Sequence, residues 1–409
     1  ISSNHLHILL SPVLANSISS YRGKLCFDSL LLQDDTSGKE KYTFVGEWLD
    51  PELSTAKQFL VHFFPHDNSI SLFDIKLKRT FLKRTPIEDV TLKDFYIGGS
   101  VRVFGRQINI NDFACEDTRK KLDKSTERTF AMIKPLSSVK IGEIIQAVEQ
   151  NKFRIMQMRM VQLTKDTVPL AFENLKEDPD IHGIVENLSS GPIITMELVS
   201  ENALSKWTQQ MGNKDPVLAE PGSLRNKYGI DKVQNAVYGS TSATEDLSYF
   251  FPTGKMKSMG PPANALFSNC TCCIVKPHIL REGRLGSVLL AIAQEGYLIT
   301  ALKMVYMENA NAAEFYEVYK GVVPDYMGMI VELTSGPCVA LEIVGPPEVN
   351  TPVEFRKLVG PADPDIARQL RPHTLRARFG KTRLQNGVHC SDLPEDGLLE
   401  VEYFFKILD

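Results

Sequence analysis

His389 stands in the run Asn386-Gly-Val-His389-Cys-Ser391, three residues beyond an asparagine and two before a serine, with Glu395 and Glu400 downstream. An imidazole becomes a covalent nucleophile when an acceptor holds one ring N–H and leaves the other nitrogen's lone pair exposed. Lys276, Arg356 and Arg376 lie in the same part of the chain and are the cationic donors a phosphate chain requires. Phosphoryl transfer asks mainly for positioning and charge neutralisation around an in-line displacement, and these residues suit it. On residue type alone, a hydrogen-bonded structural histidine is the commoner reading. Gly380-Lys381-Thr382 is not a P-loop, since the motif needs glycine at position 375 and Leu375 is there. Gly283-x-x-Gly286 is too short a signature for a dinucleotide site.

The elements that must position these residues emerge from an internal repeat. Ile133-Lys134-Pro135 is matched by Val275-Lys276-Pro277, Ser190-Gly-Pro192 by Ser335-Gly-Pro337, Asn235-Ala-Val-Tyr238-Gly-Ser240 by Asn386-Gly-Val-His389-Cys-Ser391, and Tyr249-Phe-Phe251 by Tyr403-Phe-Phe405. The offset only grows along the chain, so one unit is duplicated with small insertions in the second copy. Each copy reads as a strand ending at Lys-Pro, then an amphipathic helix. The helix carries Ile141, Ile144, Ile145 and Val148 in one copy and Leu285, Val288, Leu289 and Ile292 in the other. Further strands are expected over 153–163 and 297–306, then 192–199 and 337–344, then at the Asn-x-Val segment, with helices between. This alternation predicts an α/β (α+β) fold built from two ferredoxin-like sandwiches.

Ahead of the repeat, residues 41–112 hold short strand-like runs at Phe44 to Trp48, Gln58 to Phe64, Ile70 to Asp74, Thr80 to Leu82, Phe95 to Ile97 and Ser100 to Phe104, separated by turn signals. They predict a small all-β module without chemistry of its own; His62 and His66 read as packing or surface residues. The resulting division is an unassigned extension (1–40), the β module (41–112), a charge-dense linker (113–127), the first copy (128–251), a Pro/Gly-rich linker (252–267) and the second copy (268–409). The chain begins at Ile1, which points to a truncated or processed start. The apolar stretch from Leu6 to Ala15 lacks the basic residues that precede a secretory core.

Composition bounds the partners. The 409 residues carry 46 Lys and Arg against 50 Asp and Glu, a net charge of −4, with 43% hydrophobic residues. That excludes wholesale disorder and gives no positive field for nucleic acid or anionic lipid, so neither nucleic acid nor membrane is expected as a partner. Seven scattered cysteines, Cys26, Cys115, Cys270, Cys272, Cys273, Cys338 and Cys390, form no disulfide framework and favour a reducing compartment. Cys270-Thr-Cys272-Cys273 lacks a second ligand pair and reads as buried thiols rather than a metal site.

Through Ile/Val-Lys-Pro, Ser-Gly-Pro, Pro372-x-x-Leu375-Arg376 and Asn-x-Val-His-x-Ser, each copy resembles a nucleoside diphosphate kinase domain. The β module, through Phe81-Leu-Lys-Arg-Thr85 and Asp94-Phe-Tyr-Ile-Gly98, resembles the DM-ten (PH-like) domain of ciliary proteins. The resemblance spans roughly residues 42–409. It implies that His389 is the phosphorylated nucleophile, Ser391 and Glu400 position its ring, Lys276, Arg356 and Arg376 contact phosphates, Tyr316 stands beside Lys276 and the nucleophile, and Asn386 meets the ribose. Two departures stand out: the family's base-stacking Phe falls near Asp325 or Tyr326, and its phosphate-binding Thr on Ala362. The first copy keeps Lys134, Arg225, Asn235 and Ser240 but has Tyr238 at the nucleophile. Its other phosphate residues fall on Thr208 and Lys214 and its stacking Phe near Asp180, so it is expected to be catalytically dead. A phenol, with a pKa near 10, is a poor substitute for imidazole at neutral pH.

The same resemblance implies a structural component of ciliary and flagellar doublet microtubules, a microtubule inner protein in the cytoplasmic cytoskeleton. Tubulin, other axonemal microtubule inner proteins and the γ-tubulin ring complex are the expected partners. The alternative is an active kinase that passes the ATP γ-phosphate through phospho-His389 to nucleoside diphosphates, with Mg²⁺ accompanying ATP. Fusion of two unlike copies implies a monomer.

Overall fold

The computed structural model describes residues 40–50, 55–88, 90–97, 99–122, 126–172, 175–240, 243–252 and 260–408. The extension expected at 1–40 lies outside them apart from Glu40, as does Cys26. The β module is a six-stranded antiparallel sheet of β1 (Tyr42–Asp50), β2 (Thr55–Phe64), β3 (Ser69–Asp74), β4 (Arg79–Pro86), β5 (Ser100–Val103) and β6 (Arg106–Phe113), in the order β4-β3-β2-β1-β6-β5. Alternating residues Phe59, Val61 and Phe63 of β2 are fully buried, the period-2 pattern of a half-covered sheet. The run Phe95 to Ile97 is not a strand. It follows a 3₁₀ turn at Leu92–Asp94, and the Phe95 ring plugs the module's open face, 4.8 Å from the Phe44 ring and 4.7 Å from that of Phe63. The sixth strand is β6 instead.

The charged segment expected to be a linker contains a helix, Glu116–Leu122, that belongs to this module. Its buried Thr118 accepts a hydrogen bond from the Thr43 backbone N–H at 2.9 Å, and Arg119 pairs with Asp112 at 2.7 Å. One buried threonine anchors it, while its charges face solvent.

The repeat supplies β7 (Thr126–Ile133), β8 (Arg154–Val161), β9 (Ile193–Glu201) and β10 (Val237–Gly239), then β11 (Cys270–Val275), β12 (Leu298–Tyr306), β13 (Pro337–Val344) and β14 (Val388–Cys390). All eight form one sheet, β10-β7-β9-β8-β12-β13-β11-β14. Each copy has its first strand between its fourth and third, the ferredoxin-like order. The copies join at their second strands, with Lys303 opposite Arg159.

On one face of the joint, the helices Ser138–Gln150 and Leu285–Gln294 cross and merge their apolar stripes into a single core. Gly142 and Gly286 lie at the crossing. A methyl on Gly286 would sit 2.7 Å from the Gln146 Cα, and one on Gly142 would sit 2.7 Å from the Leu290 backbone nitrogen. Glu149 ends this contact by accepting the first N–H groups of the second helix, Leu285 at 2.8 Å and Gly286 at 2.9 Å. Those amides have no partner within their own helix, so a carboxylate from the other copy caps it. The described end of the Pro/Gly-rich connection, 260–267, packs on the sheet: Arg159 donates to the Pro261 carbonyl at 2.6 Å, and the Glu342 carboxylate accepts the Leu266 and Phe267 N–H groups. The β module leans on this joint through the Arg154–Asp94 ion pair at 2.6 Å.

Candidate functional site

The last strand of the second copy, β14, carries His389 inward among aromatic rings. Phe315, Tyr316 and Tyr319 meet its ring edge-on at 5.2, 5.8 and 6.4 Å. Its Nε2 lies 2.9 Å from a Glu400 carboxylate oxygen, and the Ser391 hydroxyl donates to that same oxygen at 2.9 Å. A carboxylate only accepts, so the histidine proton sits on Nε2 and the Nδ1 lone pair is left for an electrophile. Ser391 is itself fixed, since its Oγ accepts the Cys272 N–H at 3.4 Å. The three residues therefore form a chain from helix Asp396–Glu402 through the strand edge to an imidazole whose Nδ1 is unprotonated.

The expected cations surround this strand. Lys276 ends β11 and is buried, with Nζ donating to the Leu384 carbonyl at 2.8 Å. Burial, followed by repulsion from Arg376, pushes its ammonium down to about 7 despite the pull of Glu332. Arg376, on the short helix Leu375–Phe379, donates to the Val388 carbonyl at 3.1 Å and the Gly360 carbonyl at 3.0 Å, beside the nucleophile's own strand. Asn386 donates to the Ala362 carbonyl at 3.1 Å. Tyr316 is fully buried against His389, and burial raises its phenol far above the ordinary range. Arg356 is held on the rim by Asp392 at 3.1 Å, and Asp392 also accepts the Tyr319 hydroxyl at 2.7 Å. Asp392 and Tyr319 were not singled out in the sequence. The signal was there, since Asp392 directly follows Ser391.

The departures have structural correlates. Asp325 caps helix Tyr326–Leu333 through the Gly328 N–H, and the Tyr326 hydroxyl donates to the Ala313 carbonyl, so each has a local role. Ala362 offers only its carbonyl, to Asn386.

The first copy repeats the frame without the nucleophile. The Tyr238 ring packs on Phe172 at 5.3 Å and Phe130 at 6.3 Å. Phe172 stands where Tyr316 does in the second copy, in Phe-Glu-Asn-Leu-Lys against Tyr-Glu-Val-Tyr-Lys, and it lacks the hydroxyl. Lys134 meets the Val233 carbonyl at 2.6 Å, and its ammonium is pushed down to about 7 by burial and then by Arg225. Arg225 donates to the Val237 and Gly212 carbonyls, as Arg376 does to its counterparts. Asn235 donates to the Lys214 and Lys232 carbonyls, and Ser240 is buried next to Tyr238. Lys214, at the family's phosphate-threonine position, is paired with Asp178 at 2.8 Å and Asp180 at 3.5 Å. Asp180 falls near the stacking position, so an ion pair spans the ground between where phosphate and base would lie. Thr208 is exposed on helix Ala203–Met211.

Among the described residues no group of three His, Cys, Asp or Glu side chains is placed to hold a metal ion, and Cys270, Cys272, Cys273, Cys338 and Cys390 are buried free thiols. No described helix is long and apolar enough to cross a membrane.

Two ferredoxin-like units share one sheet, and one of them presents a carboxylate-held histidine on a strand whose neighbouring segments carry Lys276 and Arg376. The family profile for nucleoside diphosphate kinase matches residues 127–256 and 269–408, and the chain belongs to that family. It is 44% identical over 376 residues to nucleoside diphosphate kinase homolog 7 of Mus musculus, covering 90% of this chain and 94% of the mouse protein. The Rattus norvegicus homolog 7 matches with the same identity and coverage. A nucleoside diphosphate kinase of Aquifex aeolicus is 35% identical over 139 residues, 34% of this chain and 95% of that one. A crystal structure of the Aquifex enzyme aligns with 34% of this chain at a TM-score of 0.32.

Proposed function

We propose that the chain is a structural component of ciliary and flagellar doublet microtubules, built on a fused pair of nucleoside diphosphate kinase domains, with phosphotransfer confined to His389. The asymmetry between the two sites carries this reading. One nucleophile is assembled with its positioning groups, whereas the other is a tyrosine in an aromatic cluster beside an ion-paired cleft. A chain selected for catalysis alone would have little use for the second frame, whereas a scaffold uses both.

At the second site, Glu400 and Ser391 orient the imidazole, Nδ1 attacks the terminal phosphorus of a nucleoside triphosphate in line, and the diphosphate leaves. Lys276, Arg376 and Arg356 would neutralise the phosphate oxygens, Asn386 would meet the ribose, and a diphosphate acceptor would reverse the step. Mg²⁺ would arrive on the nucleotide phosphates. An aspartate at the base-stacking position, which falls at Asp325 or Tyr326, would remove about 1–3 kcal/mol of stacking and favour residual rather than rapid turnover. Tubulin, neighbouring microtubule inner proteins and the γ-tubulin ring complex are the partners this reading names. An acidic chain meeting acidic tubulin would rely on local patches and shape.

The test has two arms in cells and in solution. Tagged wild type and His389→Ala should both lie along axonemes and co-purify with tubulin, while only wild type takes up acid-labile phosphate from labelled ATP. Failure of both proteins to reach the axoneme overturns the structural role. Equal labelling of the two overturns phosphotransfer.

A further inference from the structure

We propose that Glu332 is a positioning residue of the second site, a buried carboxylate that ties the Lys276 turn to the Leu384–Asn386 loop and faces the Lys276 ammonium with opposite charge. The inference rests on the reading that this site binds nucleotide phosphates.

His278 follows Lys276 by two residues, at the start of the short helix Pro277–Arg281, and its Nδ1 lies 2.7 Å from a Glu332 oxygen. Both side chains are nearly sealed from solvent, at 3% and 6% exposure, where an uncompensated charge is costly. The other Glu332 oxygen accepts the Gln385 amide at 3.3 Å. Gln385 sits between Leu384, whose carbonyl receives Lys276 Nζ, and Asn386. One carboxylate therefore bridges the two segments that present the phosphate lysine and the ribose asparagine. Burial raises the Glu332 carboxyl, but the hydrogen bond and charge of His278, with help from Gln385 and Lys276, outweigh it and hold the group below its ordinary value.

The first copy shows which part of this is special. At the matching positions it has Leu136 for His278 and Asn187 for Glu332, while Gln234 matches Gln385. Lys134 still reaches the Val233 carbonyl, so the lysine–carbonyl contact does not depend on the bridge. What the second copy adds is a negative charge beside a buried lysine and a tie to the loop. The charged groups acting on Lys276 are Arg376, from helix Leu375–Phe379, and Glu332, from helix Tyr326–Leu333. Arg376 disfavours the ammonium and Glu332 favours it, so removing the carboxylate leaves repulsion unopposed.

Glu332→Gln keeps the volume and deletes the charge; its amide oxygen can accept from one partner only, and its NH2 must donate where the second carboxylate oxygen accepted. Binding of a fluorescent ADP analogue is measured on the full chain from pH 6 to 9, together with label on His389 and the thermal transition. Removing the charge that favours the Lys276 ammonium should weaken binding severalfold at pH 8, with the difference from wild type narrowing toward pH 6 as the lysine gains its proton. A His278→Leu/Glu332→Asn double variant installs a pair the same fold already accommodates in its first copy. It should show the same pH-dependent loss with a near-native transition. Affinities equal to wild type at every pH overturn the proposal, even if the transition falls. Unlabelled His389 with the pH-dependent loss intact overturns phosphotransfer alone, and absence of ADP binding by wild type overturns both.

Discussion

Replacing Gly286 by alanine probes the joint between the two copies at its tightest point. The added methyl would lie 2.7 Å from the Gln146 Cα and 2.9 Å from the Gly142 carbonyl oxygen, backbone atoms that no rotamer change relieves. The Gln146 backbone nitrogen is closer still and ordinary contact begins at 3.4 Å, so the helices Ser138–Gln150 and Leu285–Gln294 must part by roughly 1 Å. A gap of that size forfeits a quarter to a half of each dispersion contact across the crossing. It also draws the Leu285 and Gly286 amides away from Glu149, which caps them at 2.8 and 2.9 Å. Overpacking at about 1–3 kcal/mol, with weakening of two charge-assisted hydrogen bonds, gives a loss of about 2–4 kcal/mol. At roughly 2–3 °C per kcal/mol, the thermal transition should fall about 5–10 °C by differential scanning calorimetry. Gly142→Ala, which meets the Leu290 backbone, should behave alike. A shift under about 2 °C for both variants would refute the close crossing and the single core drawn through it.

Burial raises the Glu149 carboxyl to about 7 against the lowering effect of its two amide bonds. A folded-state value above the unfolded 4.5 means the native chain binds a proton the unfolded chain does not. Stability should therefore rise as pH falls from about 7 toward 4.5, and Glu149→Gln should flatten that limb in denaturant titrations. In a His389→Ala background, Tyr238→His should not restore acid-labile label, because Phe172 stands in for Tyr316 and Lys214 is held by Asp178 and Asp180; label on residue 238 would contradict the closed-cleft account. Burial pushes the Cys272 and Cys273 thiols well above the usual range, Cys338 to about 12 and Cys390 to about 11. In the native protein these four should resist a thiol reagent that modifies them rapidly once unfolded, read by peptide mass mapping.

The repeat was legible because its anchors are the residues whose chemistry is fixed: Lys-Pro at a strand end, Gly-Pro before a strand, Asn-x-Val before the nucleophile. The helices at Ser138–Gln150 and Leu285–Gln294 followed from apolar spacing alone, and their buried residues are the ones that spacing selects. Strand β6 was missed although Ile108 and Ile110 alternate correctly, because Arg106, Gln107, Asn109, Asn111 and Asp112 around them resemble a loop. The Glu116–Leu122 helix was hidden by its charges, since one buried threonine is no periodic signal. Long-range polar partners were invisible for a different reason. His278 and Glu332 are 54 positions apart, and Lys214 and Asp178 are 36 apart; nothing local in either pair announces the other. The continuous sheet depends on one edge pairing, Lys303 with Arg159, that no motif marks.

The position of the phosphate on the imidazole tests the account most directly. Glu400 holds Nε2 at 2.9 Å and Ser391 steadies the same carboxylate, so only Nδ1 is available to attack. After incubation with ATP and Mg²⁺, phosphorus NMR and fragment mass spectra of the full chain should place phosphate on Nδ1 of His389, with Glu400→Gln reducing its yield. Phosphate on Nε2, or label that persists in His389→Ala, would contradict the site as described.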